Sequence, residues 1–165
     1  MTGEAEFRRN RATEGELANH LSLCDATFVP SLSSRVEIPG YAHKLWLHAT
    51  RFEAWADGLL VGLVAVYCND SARRFAYVTS VSVLPEGRGR RIASGLLVQC
   101  SEYLRALGFE RVELEVDREN QTAIQMYHRH GFIAVNGSGR NLVMHLTLGG
   151  ETTDEPATGL QRRNQ

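Results

Sequence analysis

The sequence is short of everything that would tie it to a special setting. It has only three cysteines, Cys24, Cys68 and Cys100, an odd number with no CxxC spacing. That pattern offers neither a disulfide framework nor a zinc site, and it fits reduced, mostly buried thiols in a cytoplasmic protein. The longest apolar run, residues 59–68, is far too short to span a membrane. Residues 1–11 are polar and mixed in charge, so they do not read as a signal peptide. Eighteen basic against nineteen acidic side chains leave a net charge of −1, so no bulk field draws the chain to nucleic acid or to a lipid surface. His43, His48, His128 and His130 have no partner pattern for a metal, and none is expected. What is present is ordinary for a globular chain: 165 residues, 43% apolar and 22% charged, enough for one domain with one core. Residues 1–148 are expected to form it, with the polar residues 149–165 as a loose tail.

The patterning gives a coarse layout. Residues 6–9 read as a short strand. Thr13 and Glu16 form a capping box opening a helix with Leu17, Leu21 and Cys24 on one face. Residues 28–39 are loop-like, and Pro39 suits the first turn of a second helix over 40–50. Strands are expected at 51–56 and 59–68 around the turn Asp57-Gly58, and again at 75–83. A helix at 92–107 ends at Gly108, a strand follows at 110–116, and a helix at 121–130 ends at Gly131. Strands at 132–135 and 142–148 close the chain around a turn at 136–140. This is an α+β layout around a mixed, mostly antiparallel sheet of six or seven strands, with about four helices.

Between the strand 75–83 and the helix 92–107 lies Glu86-Gly87-Arg88-Gly89-Arg90-Arg91. A helix N-terminus offers unpaired N–H groups and partial positive charge, glycine admits close backbone approach, and arginine adds forked donors. Together these are the physics of a pyrophosphate site. The loop is neither GxxxxGK[ST] nor GxGxxG, and taken alone it reads equally as a solvated basic turn.

The loop has company. Val81-Ser82-Val83-Leu84-Pro85, the Arg/Gly loop, Ala93 and Leu96-Leu97 resemble motif A of the GNAT superfamily of acetyltransferases. Leu114-Glu115-Val116, then Asn120, Ala123, Tyr127, Gly131 and Phe132, resemble its motif B in order and spacing. The resemblance implies a splayed sheet, with the arm of acetyl-CoA bonded to the backbone around Ser82, at Val81 and Val83, like an added strand. It implies a pyrophosphate held by the N–H groups of Arg88, Gly89, Arg90, Arg91, Ile92, Ala93 and Ser94. It implies that Asn120 bonds the cofactor arm and that Tyr127 stands near the thioester sulfur. The departure is Arg91, which stands where the family pattern [Q/R]xxGx[G/A] has glycine.

The implied activity is N-acetyl transfer from acetyl-CoA to an amine in a ternary complex, by a monomer or homodimer. A thiol of pKa about 8.5 leaves more easily beside a hydroxyl donor, the role the family pattern assigns to Tyr127. Val83 N–H is a candidate oxyanion donor. Glu113, Glu115 and Asp117 share one strand face, opposite Val112, Leu114 and Val116, and three acids on one face suggest a solvated cleft. Glu115 lies in a Leu-Glu-Val context resembling the ribosomal-protein N-terminal acetyltransferases, where the matching Glu is a proposed base. The acceptor is a peptide or protein amine, or a small amine such as an amino sugar. The other reading is a non-catalytic acyl-CoA-binding domain, for which Arg91 is the best argument.

Overall fold

The computed structural model describes residues 3–149, so the expected tail falls, except for Gly149, outside the described residues. Strands β1 (Glu6–Arg9), β2 (Thr50–Ala56), β3 (Leu59–Tyr67), β4 (Phe75–Val83), β5 (Arg111–Asp117), β6 (Ile133–Ser138) and β7 (Asn141–Thr147) form one sheet in the order β1-β2-β3-β4-β5-β7-β6. Every pairing is antiparallel except β4 with β5, which helix α3 (Ile92–Leu107) connects as a crossover. Helices α1 (Glu14–Leu23) and α2 (Ile38–His48) precede β2, and α4 (Gln121–Arg129) lies between β5 and β6.

Local chemistry sets these elements. In the capping box of α1 the Thr13 hydroxyl accepts from Glu16 N–H at 3.1 Å and the Glu16 carboxylate accepts from Thr13 N–H at 2.9 Å. Asp57 and Gly58 both take positive φ, 53° and 75°, as a two-residue hairpin turn between β2 and β3 demands. Gly108 ends α3 at φ 90°. Helix α2 begins two residues earlier than expected because Pro39 fits inside the first turn, where no N–H is needed. The final turn is tighter than expected: β6 runs on to Ser138, with a bulge between Ala134 and Asn136, leaving Gly139-Arg140 as the connection.

The sheet divides the core in two. On one face Leu17 and Leu21 of α1 and Ala42 and Leu45 of α2 pack on Leu60, Leu63 and Ala65. On the other, Leu96, Leu97, Cys100 and Leu104 of α3 and Ile124 and Tyr127 of α4 pack on Val64, Val78, Leu114, Val116 and Met144. Helix α3 comes down hard on β3 at Gly62, where an added Cβ would stand 2.5 Å from the Ile92 side chain. That close approach fixes the start of α3 beside the end of β4. A buried polar hub ties β1, α1 and β2 together. The fully buried Glu53 carboxylate accepts from the N–H groups of Arg11 and Ala12 and from Trp55 Nε1, and lies against the Arg51 guanidinium.

Candidate functional site

Strands β4 and β5 pair only over Phe75–Arg111, Ala76–Val112 and Tyr77–Glu113; beyond Tyr77 they part. The fork this opens is edged by the rest of β4. Leu84 N–H donates to Val61 O at 2.9 Å, toward β3. Backbone groups alternate along a strand, so those of Ser82 also point to β3, and those of Val81 and Val83 point into the fork. An extended ligand laid along β4 finds its donors and acceptors there.

At the end of the fork sits the basic loop. A short 3₁₀ turn over Pro85–Gly87 leads to Arg88 in extended conformation, Gly89 at φ 80° and Arg91 at φ 60°, ψ 26°. Arg91 is the N-cap of α3 and makes no side-chain cap bond, which leaves the first-turn N–H groups of α3 to a ligand. Arg91 has thus taken the left-handed conformation for which glycine is the ordinary choice, and its side chain is exposed. The backbone path of a glycine loop exists without the glycine. Arg88, Gly89 and Arg90 are exposed beside it, Ala93 and Ser94 are half-buried, and Ile92 is buried in the core. Ser94 Oγ lies 3.1 Å from His130 Nε2, joining the start of α3 to the end of α4.

The α4 side brings Asn120 and Tyr127. Asn120 is the N-cap of α4: its Oδ1 accepts from Ala123 N–H at 3.3 Å, which leaves the amide NH2 as its donor for a ligand. Tyr127 is 6% exposed, its ring tilted against Phe132 at 5.8 Å between centroids. Burial alone drives its phenol pKa well above the ordinary value, so the group stays a proton donor.

The opposite face of β4 is unlike the apolar face. A bulge between Ala65 and Val66 of β3 leaves Thr79 as the extra residue of β4. One result is that Tyr77, Thr79, Ser80 and Ser82 all serve the side of α1 and α2. Tyr41 of α2 donates its hydroxyl to Thr79 O at 2.9 Å and meets Thr79 Oγ1 at 2.8 Å. Tyr67 and Tyr77 are cross-strand partners. Burial, then the charges of Glu115, Tyr41 and Glu113, push the Tyr77 pKa up to about 12. Glu115 is exposed on this face and accepts from Asn141 Nδ2 at 3.1 Å. Glu113 is half-buried, its carboxylate 3.6 Å from the Arg111 Nε.

Asp117 departs from the expected row of solvated acids. It is 4% exposed, accepts from Glu119 N–H at 2.8 Å, and is paired with Arg140 at 2.9 Å. The backbone N–H bond, ahead of the arginine, holds its pKa below the usual carboxylate value. It fastens the β5–α4 loop to the β6–β7 turn and leaves Glu113 and Glu115 as the accessible acids of that strand face. Ser82 also differs in role from its neighbours: its hydroxyl is 2.9 Å from His20 Nε2, on the far side of the strand from α3. No motif marks His20; its one local signal is its place three residues after Leu17 on the apolar face of α1.

Among the described residues there is no group of side chains arranged to hold a metal ion, and no helix long and apolar enough to cross a membrane. The model of the acetyltransferase (GNAT) family matches residues 20–132. An N-alpha-acetyltransferase of Arabidopsis thaliana is 31% identical over 117 residues, covering 70% of this chain and 62% of that protein. The chain thus spans less than two thirds of the length of that curated relative. Among solved structures, an N-acetyltransferase of Thermoplasma acidophilum in complex with coenzyme A superposes with a TM-score of 0.67 at 16% identity, over 86% of this chain and 99% of that one. A ribosomal-protein-alanine N-acetyltransferase of Escherichia coli does so with a TM-score of 0.70 at 17% identity, over 87% and 94%. At such identities these two likenesses speak for the fold.

Proposed function

The chain belongs to the acetyltransferase (GNAT) family, and from that premise we propose that it moves an acetyl group from acetyl-CoA to an amine by direct attack in a ternary complex. The observation that carries the reading is the fork itself. Backbone groups of Val81 and Val83 open into it from one side, and Tyr127 is buried among the residues of the α4 side. The residues present fit acetyl-CoA: a strand edge for its amide arm and a loop of arginines and helix N–H groups from Arg88 to Ser94 for its pyrophosphate. The co-substrate supplies an activated thioester carbonyl.

In this reading Val83 N–H donates to the carbonyl oxygen as negative charge grows on it. Glu115 takes the proton that the amine gives up as its nitrogen bonds to the carbonyl carbon. Tyr127 gives its proton to the sulfur as the carbon–sulfur bond breaks, and its raised pKa suits it to act as an acid rather than a base. The Asn120 amide NH2 bonds the cofactor arm, and Ser82 contributes backbone only. The acceptor is a peptide or protein amine or a small amine. The open face that carries Glu113, Glu115, Tyr67 and Tyr77 supports an acceptor that arrives cationic and loses its proton at the site.

Arg91 no longer favours the rival reading of a non-catalytic acyl-CoA-binding domain, because its backbone follows the path a glycine would take. The decisive assay mixes protein, acetyl-CoA and a panel of peptide and small amines with a thiol-reactive dye. Amine-dependent release of CoA is expected; acetyl-CoA binding with no such release across the panel would favour the rival.

A further inference from the structure

A strand that loses its partner on one side should lose rigidity there, yet the free lip of β4 is the surface on which the proposed chemistry depends. The stiffness has to come from elsewhere. Two side chains from the helical layer reach it. Tyr41 of α2 bonds Thr79 at the start of the free segment. At its far end, His20 of α1 meets Ser82, between the two residues whose backbones face the fork.

The His20 contact is built with care. The ring is 1% exposed and Ser82 is 5% exposed. Nδ1 is 2.9 Å from Leu60 O, and a carbonyl can only accept, so Nδ1 carries the proton. Nε2 is therefore an acceptor, and the Ser82 hydroxyl donates to it at 2.9 Å. Burial lowers the His20 pKa to about 4, which keeps the ring neutral and Nε2 free to accept. Cys24 Sγ closes the third side at 3.6 Å from Nε2, and burial raises its thiol to about 12, so it too is neutral. The charges of Arg88 and Glu86 act on Cys24, which places this cluster close beneath the basic loop. Leu60 lies near the start of β3, three residues before Leu63, the cross-strand partner of Ser82. The imidazole thus spans β3 and β4 from the α1 side.

We propose that His20 is a positioning residue: held by Leu60 O, it fixes Ser82 and so sets the unpaired edge of β4 at Val81 and Val83 in the geometry that receives the thioester. The fork is braced open by α1 before any ligand arrives. This rests on the acetyltransferase reading for its consequence in turnover, but its structural part stands without it.

The test compares Ser82→Ala, His20→Gln and His20→Asn with the wild type. Ser82→Ala removes only the hydroxyl and is the smallest of the three changes. It should lower kcat about 10-fold while the Kd for CoA stays within about 2-fold, and the backbone amides of residues 82 and 84, which face β3, should exchange hydrogen about 10-fold faster. His20→Gln, whose side-chain oxygen can accept where Nε2 did, should fall within about 3-fold of wild type, whereas His20→Asn should resemble Ser82→Ala. A folded Ser82→Ala protein with unchanged kcat and unchanged exchange at 82 and 84 would overturn the proposal. So would a fall in melting temperature with both of those unmoved. If the wild type shows no amine-dependent turnover at all, the acetyltransferase reading fails, and the exchange measurement still decides the role of His20.

Discussion

The two faces of β4 solve different problems. Toward α3 and α4 the strand presents Ala76, Val78, Val81 and Val83 to an apolar cluster that includes Tyr127 and Phe132. Toward α1 and α2 it presents Tyr77, Thr79, Ser80 and Ser82, and is bonded through side chains. The apolar face is held by area and shape, so it tolerates conservative change and is rigid through packing. The hydroxyl face is held by a few directional bonds in a dry setting, where losing one partner leaves the other buried and unsatisfied. A strand with one open edge needs both: packing to fix its height over the helices and directed bonds to fix its lateral position at the fork.

That contrast can be broken from the polar side most severely. Glu53 anchors the α1 layer to β2, and Glu53→Ala would leave the buried Arg51 guanidinium without its counter-charge and the Arg11 and Ala12 N–H groups without their acceptor. Urea denaturation should show a loss of roughly 3–5 kcal/mol, as for removing one partner of a buried ion pair. Next comes pH. His20 has its folded pKa lowered to about 4 against 6.5 for the free side chain. The unfolded chain therefore binds the extra proton first, and stability falls as pH drops from about 6.5 toward 4, by on the order of 3 kcal/mol in all. His130, also lowered by burial, adds to the loss with the same sign. Asp25, Asp70 and Asp117 have lowered pKa values, so their contributions are lost only below the ordinary carboxylate range, outside this window. Equilibrium unfolding at a series of pH values should show the slope, and His20→Gln should flatten it; a wild-type stability constant from pH 7 to 4.5 would contradict the neutral buried ring.

The apolar face is probed through chemistry and shape. Tyr127→Phe keeps the ring against Phe132 and removes the proton donor. Turnover should fall about 100-fold with CoA affinity within about 2-fold, and equal turnover at the pH optimum would remove Tyr127 as the acid. Gly62→Ala sets a methyl against Ile92, where helix α3 must shift to admit it, and should cost about 1–3 kcal/mol on denaturation together with weaker CoA binding. The smallest effect is expected at Arg91. Arg91→Gly relieves the left-handed backbone but frees the unfolded chain, so stability should move by less than about 1 kcal/mol, whereas the β-branched Arg91→Val should cost about 2 kcal/mol.

Much of this molecule could be read before folding. The capping box at Thr13, the Asp57-Gly58 turn, the stretch 92–107 ending at Gly108, and the alternation of Val112, Leu114 and Val116 against Glu113 and Glu115 are local signals, and each element appeared where its own residues required it. The loop Glu86-Gly87-Arg88-Gly89-Arg90-Arg91 was likewise visible as a basic turn before a helix, and in the proposed function it takes the phosphate. The family motifs within residues 81–132 pointed to the donor, and the match over 20–132 places the chain in that family.

Other features lay beyond any local pattern. The bulge at Thr79 is a property of register between β3 and β4, and it alone moves Ser80 and Ser82 onto the face of Tyr77. The capture of Asp117 by Arg140 joins residues far apart in the chain and removes an acid from the cleft. The pairing of His20 with Ser82 spans 62 positions. Arg91 stood out in the sequence only as a departure from the glycine of the family pattern, and only the folded chain shows its left-handed backbone, φ 60°, close after the turn at Gly89. By itself, then, the sequence determined the elements and the basic loop between β4 and α3, because these follow from periodicity and propensity along the chain, while the fork was expected only through the family motifs. The tertiary structure alone decided which face each hydroxyl serves and what braces the open strand, because those depend on register and on contacts that exist only once distant segments share a low-dielectric core.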